Sequence, residues 1–135
     1  MGTIVVGYVP KPEGQAALRR AAEEARLRQL RLVVVNSHRG GREFGRDDAI
    51  ESESQLDEVK RELDGAGVEY EVRQLVRGLD PAEDLVNVAK EVEAEFIVIG
   101  LRRRSPVGKL ILGSNAQRVL LDSPCPVLAV KAEEE

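Results

Sequence analysis

Aromatic residues are scarce in this sequence of 135 residues: two Phe, two Tyr and no Trp. A chain so poor in rings lacks the platforms on which single-stranded nucleic-acid binders stack bases, and its core must come from Val, Leu, Ile and Ala. A basic excess is also missing. The formal net charge is −4, which argues against general nucleic-acid binding, since that needs a basic face. The only histidine is His38, so a site of several histidines is excluded. The only cysteine, Cys125, rules out an intramolecular disulfide and fits a reducing compartment. Set between Pro124 and Pro126 beside an apolar run, Cys125 reads as a small packed residue rather than a nucleophile. No apolar run approaches the ~20 residues that span a bilayer, so no membrane partner is expected. The opening Met1-Gly2-Thr3-Ile4-Val5-Val6 lacks the basic region and cleavage site of a signal peptide. A cytoplasmic protein forming one domain over residues 1–135 is the expectation.

What is present is an alternation of short β-branched runs with longer helical patterns. Thr3 to Val9 and Leu32 to Asn36 read as strands buried on both faces. Between them, from about Glu13 to Gln29, Leu18, Ala21, Ala22 and Ala25 recur at helical spacing, and Glu24 and Arg28 sit four apart on the face read as solvated. Ser37 to Arg46 holds three Gly and three Arg and reads either as a flap over a ligand or as a plain surface loop. A second helix is expected from about Asp48 to Asp64, with Leu56, Val59 and Leu63 inward and Gly65 and Gly67 as its stop. Val68 to Arg73 alternates apolar and charged residues, as an edge strand does. Asp80-Pro81 opens a third helix as N-cap and first residue, with Ala82, Leu85, Val86 and Ala89 inward. Phe96 to Gly100 is a fourth strand. The helix after Gly113 is expected to turn Ala116, Val119 and Leu120 inward. Val127 to Val130 is a fifth strand, and Lys131 to Glu135 a solvated tail. Strands alternating with helices imply a parallel sheet covered on both faces, with ligands bound beyond the carboxyl ends of the strands.

The stretch from Phe96 to Asn115 carries the chemistry. A buried strand ends at Gly100 and runs into a basic loop with Arg102, Arg103, Arg104 and Lys109. Gly113-Ser114-Asn115 then opens a helix. Free N–H groups and the positive end of a helix dipole meet there, which suits an anion. Ser114 is expected to cap this helix, with Gln117 completing a capping box. The last strand, Val127-Leu128-Ala129-Val130, is wholly apolar yet expected at a sheet edge. Such an edge invites pairing with a second chain, so a homodimer through strand five is expected.

Gly100, Gly113 and Ser114 fall at the first, third and fourth places of a spaced Gly…Gly…Gly-Ser/Thr nucleotide motif. With the run Leu110-Ile111-Leu112-Gly113-Ser114-Asn115 and the ending Pro124 to Val130, they make the chain resemble the universal stress proteins over essentially its whole length. The resemblance implies an α/β fold with an open, Rossmann-like, five-stranded parallel sheet in the order 3-2-1-4-5, helices on both faces, and a dimer through strand five. It also implies a regulatory role in stress response. Some members bind ATP or AMP and others do not. Carried over, the nucleotide-binding positions are Gly7, Tyr8, Val9, Asn36, Gly100, Arg102, Arg103, Gly113, Ser114 and Asn115, with Asn36 acting through its backbone. Two positions depart from the pattern. Arg103 stands where binders carry a second glycine, and a left-handed backbone costs a non-glycine residue ~1–2 kcal/mol. Val9 stands where binders carry an Asp.

Two functions therefore stand side by side. One is a dimeric regulator that holds ATP or AMP at the carboxyl ends of strands one and four, with Mg²⁺ entering only alongside ATP. The other is a nucleotide-independent dimer of the same fold that engages an unknown partner protein. Catalysis is not expected beyond slow ATP hydrolysis, and no catalytic or metal-ligating residue is assigned. The loop from Gly100 to Asn115 has no Asp, Glu or His to position water or Mg²⁺, and no Walker pattern is present. A phosphorelay receiver is disfavoured because Tyr8-Val9-Pro10 and Leu75-Val76-Arg77 stand where its acidic residues belong.

Overall fold

The computed structural model of the chain describes residues 2–38, 46–76, 80–102 and 112–132, with the side chains of 38, 46–52 and 76 left aside. Its elements in order are β1 (Thr3–Gly7), α1 (Pro12–Arg28), β2 (Arg31–His38), α2 (Arg46–Ala66), β3 (Tyr70–Val76), α3 (Pro81–Glu91), β4 (Phe96–Leu101), α4 (Ser114–Asp122) and β5 (Val127–Lys131). The strands form one sheet in the order β3-β2-β1-β4-β5, and every pairing is parallel. The central strands bury both faces, so they are runs of Val and Ile rather than alternating sequences.

Successive residues of β1 and β2 serve opposite layers. Ile4, Val6, Leu32 and Val34 pack with Leu18, Ala21 and Ala25 of α1 and Val59 and Leu63 of α2. Val5, Val33 and Val35 pack with Leu85 and Ala89 of α3 and Val119 of α4. Each fully buried aliphatic side chain contributes roughly 1.5–3 kcal/mol. The alanine stripe of α1 lets that helix lie close to the sheet. Two glycines make the approach possible. A Cβ on Gly14 would collide with the carbonyl oxygen of Val9, and one on Gly100 with the carbonyl oxygen of Glu13.

Several local expectations are corrected. β1 ends at Gly7, and Pro10 and Pro12 lie beyond it. β2 runs to His38, because Ser37 and His38 continue the ladder against Leu75 and Val76. β3 begins at Tyr70 and not at Val68, although Val68 is buried. α2 passes through Gly65, and the stop is Gly67 at φ 69°. Glu24 is not on a solvated face. It is buried, bridging Arg20 (3.0 Å) and Arg28 (2.9 Å), and the Arg28 guanidinium lies 5.4 Å from the Phe96 ring centroid. The hydrogen bond from Arg28, reinforced by Arg20, holds the Glu24 carboxyl below its ordinary pKa. The tail is not wholly solvated: Ala132 is buried, and its N–H donates to the Leu101 carbonyl at 3.0 Å.

The start of α4 also differs from expectation. Gln117 N–H donates to Gly113 O at 3.0 Å, so Gly113 is the N-cap and Ser114 the first helical residue. Ser114 makes no capping hydrogen bond, and no capping box forms. The Gln117 side chain instead donates to the Leu112 carbonyl at 3.1 Å. On the same helix Val119 is buried and Ala116 half-buried, but Leu120 is 43% and Leu121 83% exposed. The inward reading of Leu120 fails because α4 packs chiefly against α3, and only the narrow stripe of Ala116 and Val119 turns to the core.

Candidate functional site

Strand order reverses between β1 and β4, and the crevice that this opens lies at their carboxyl ends. An apolar slot of about 150 Å³ occupies it. Val35 and Ile99 from the strands, and Ala82, Leu85 and Val119 from α3 and α4, line it. A second, more polar cleft of about 260 Å³ adjoins it, bordered by Lys11, Arg102, Gly113 and Ser114. The two share Val9, Gly100, Asn115 and Ala116, so they are the inner and outer halves of one site.

The first turns of α1 (Glu13, Gly14), α3 (Pro81, Ala82) and α4 (Asn115, Ala116) all border the slot. The first-turn N–H groups, which Pro81 lacks, and the positive ends of the three dipoles lie at this end of the sheet. Lys11 and Arg102 add side-chain charge at the outer half. Arg118 donates to the Asp80 carboxylate and ties the start of α3 to α4. Asp80 is the N-cap residue of α3 as expected, but its side chain makes no capping bond. At the inner half, Ser37 Oγ donates to Oδ2 of Asp84, whose residue is 2% exposed.

The expected site residues separate into three groups. Gly7, Tyr8, Val9, Gly100 and Asn115 border the slot, and Arg102, Gly113 and Ser114 the outer cleft. Tyr8 borders the slot but also belongs to the core of the other layer. Its ring packs with Ile4 and Val6 under α1 and α2, where burial, then Glu58 and Glu62, push its phenol pKa up. Asn36 borders neither half. Val35 and Ser37 line the slot, so strand alternation turns the Asn36 side chain to the other layer. It is 2% exposed there, and its Nδ2 has no hydrogen-bond partner among the described residues. Arg103, Arg104 and Lys109 lie outside the described residues, as does the loop from 39 to 45. The sequence reading set Ser37 in a loop taken as a flap or a plain surface loop, took Asp84 only as part of a helix start, and missed Lys11 and the α3 face. The signal for the last was Asp80-Pro81, which starts a helix at the same end of the sheet.

A sequence model described as the Universal stress protein family matches residues 1–131. The chain belongs to this family. It is 44% identical over 128 residues to a universal stress protein of Mycolicibacterium smegmatis, covering 95% of this chain and 96% of that one. Among solved structures it resembles a universal stress protein from Archaeoglobus fulgidus, with TM-score 0.86 and 43% identity over 97% of this chain and 99% of that one. A universal stress protein from the same organism, solved in complex with dAMP, is 37% identical, with TM-score 0.80 over 97% of this chain and 98% of that one. The universal stress protein sheet of this chain has the order 3-2-1-4-5 with helices on both sides, and its fold matches the first of these structures over nearly the whole chain.

Proposed function

We propose that the protein is a stress-response regulator that binds an adenine nucleotide, ATP or AMP, in the crevice at the carboxyl ends of β1 and β4. The observation that carries this is the junction of an apolar slot with a cationic cleft at a helix N-terminus. The slot suits a planar base, and the cleft suits phosphates. Lys11, Arg102 and the N–H groups of Ser114, Asn115 and Ala116 are the phosphate ligands of this reading. The dAMP complex of a 37% identical relative supports it. Mg²⁺ enters only with ATP, carried by its phosphates. Among the described residues no group of three or more His, Cys, Asp or Glu side chains is placed to hold a metal. Isothermal titration with AMP and ATP tests the reading: saturable heat with one site per chain is expected, and no heat at millimolar nucleotide would overturn it.

A nucleotide-independent dimer is the competing reading, favoured by Val9, which is 40% exposed at the junction and offers a ribose no polar group. The same titration separates the two.

The proposed unit is a cytoplasmic homodimer joined along β5. Val127, Leu128 and Val130 are half-buried and Ala129 exposed on that edge strand, and the neighbouring α4 exposes Leu120 and Leu121. A second copy pairing about a two-fold axis would cover this edge. Nucleotide occupancy would then bias contact with a partner protein. Among the described residues no helix is long and apolar enough to cross a membrane. Sedimentation at low micromolar concentration is expected to give twice the chain mass. A single-chain mass would contradict the dimer, and Leu121→Glu is expected to weaken it.

A further inference from the structure

The inner half of the site has a polar feature that phosphate binding does not use. Ser37 lines the slot among Val35, Leu85 and Ala82, and its hydroxyl donates to Asp84 across from α3. A hydroxyl has one proton and two lone pairs, whereas a carboxylate only accepts. Asp84 is buried, so withdrawing the Ser37 proton would strip a hydrogen bond from a carboxylate shielded from water, at a substantial cost. The proton of Ser37 is therefore committed, and toward the slot this side chain can only accept.

Resting on the nucleotide reading above, we infer that Ser37, fixed by Asp84, selects the base by its exocyclic group. It takes a base that presents an amino donor, as a 6-aminopurine does, and disfavours a 6-oxopurine. An oxo oxygen placed there would set lone pairs against lone pairs in an apolar slot, leaving both acceptors unpaired. Sites that hydrogen-bond a substrate group reject analogues lacking it far better than apolar pockets sort by size. The chemistry comes from a main-chain register: β2 extends past Asn36, which puts Ser37 on the α3 side of the sheet. Asp84 follows because α3 begins at Pro81 and carries its fourth residue inward.

The test is titration of AMP and IMP into the same protein. These ligands differ in the base, AMP with an amino group at the purine 6-position and IMP with an oxo group and a protonated N1. AMP is expected to bind about tenfold tighter, the scale of one buried hydrogen bond gained or lost. Ser37→Ala should bring the ratio close to one. Asp84→Asn should do the same or invert it, because an amide at 84 can donate to Ser37 and free the hydroxyl proton to face the slot. Melting temperature reports whether Asp84→Asn folds, and if it does not, Ser37→Ala decides alone. Equal affinities in the unaltered protein, or a preference that survives Ser37→Ala, would overturn the inference while leaving the nucleotide reading intact. If neither AMP nor IMP binds, the nucleotide reading and this inference fall together.

Discussion

Gly100 and Gly113 occupy the same motif, border the same cleft, and are glycine for opposite reasons. At Gly100 the protein itself forbids a side chain, because the first turn of α1 lies against it and a Cβ would strike the Glu13 carbonyl. At Gly113 a Cβ would meet nothing within 4 Å among the described residues, and φ of −68° is open to any residue. One glycine is explained by packing. The other leaves bare the approach to a helix N-terminus, which is where a phosphate would sit. A motif read from sequence thus mixes a glycine that packing demands with one that packing does not explain, and only geometry separates them.

The largest effect is expected at the packing glycine. Gly100→Ala should destabilise the protein by about 3 kcal/mol, because the clash is with backbone and cannot relax by a rotamer change. Gly14→Ala should behave alike, since its Cβ would meet the Val9 carbonyl. Urea denaturation midpoints check both, and unchanged midpoints would break the comparison.

A smaller effect, on binding alone, is expected from Arg102→Glu. Reversing a cation at the outer cleft should weaken ATP by about tenfold, with the loss shrinking in added salt. The unfolding midpoint should hold, since Arg102 is exposed. Gly113→Ser should be gentler and more diagnostic. Serine is at least as good an N-cap as glycine, so stability should stay level or rise by a few tenths of a kcal/mol. Nucleotide affinity should nevertheless fall several-fold as the new Cβ enters the phosphate approach. A stable Gly113→Ser protein with full affinity would remove the contrast with Gly100.

The smallest effect lies at the far end of α1, where Glu24 joins Arg20 to Arg28 and Arg28 covers Phe96 of β4. The Glu24 pKa is depressed on folding, chiefly by the Arg28 hydrogen bond. Its contribution to stability is therefore full above the ordinary carboxylate pKa and is lost as pH falls through the depressed value. Glu24→Gln should flatten that acid limb in a series of thermal melts. Binding near neutral pH should be untouched, because this clamp is remote from the crevice.

Much of the fold was legible because its signals are redundant. β-branched runs, alanine-rich helical stripes, Asp80-Pro81 and the glycine stops agree with one another, and the resemblance supplied the strand order. Boundaries slipped where ladder pairing overrode local preference, as at Ser37 and His38, or where a helix tolerated a glycine, as at Gly65. The capping role of Ser114 was misread by one position, because Gly113 can cap with its carbonyl alone. Of the candidate site, the outer half was legible, because charge and glycine mark it. The inner half was not, because Val35, Leu85 and Ala82 look like any other core residues until the sheet order brings them together. Ser37 and Asp84 lie 47 positions apart, and no local pattern joins them.

The most direct test of the account is an amide ¹H–¹⁵N spectrum recorded as AMP is added. Saturable shifts are predicted for Ser37, Gly100 and the run Gly113 to Ala116, with Glu24 and Ala25 at the far side of α1 unmoved. Shifts absent at millimolar AMP, or concentrated away from the carboxyl ends of β1 and β4, would contradict it.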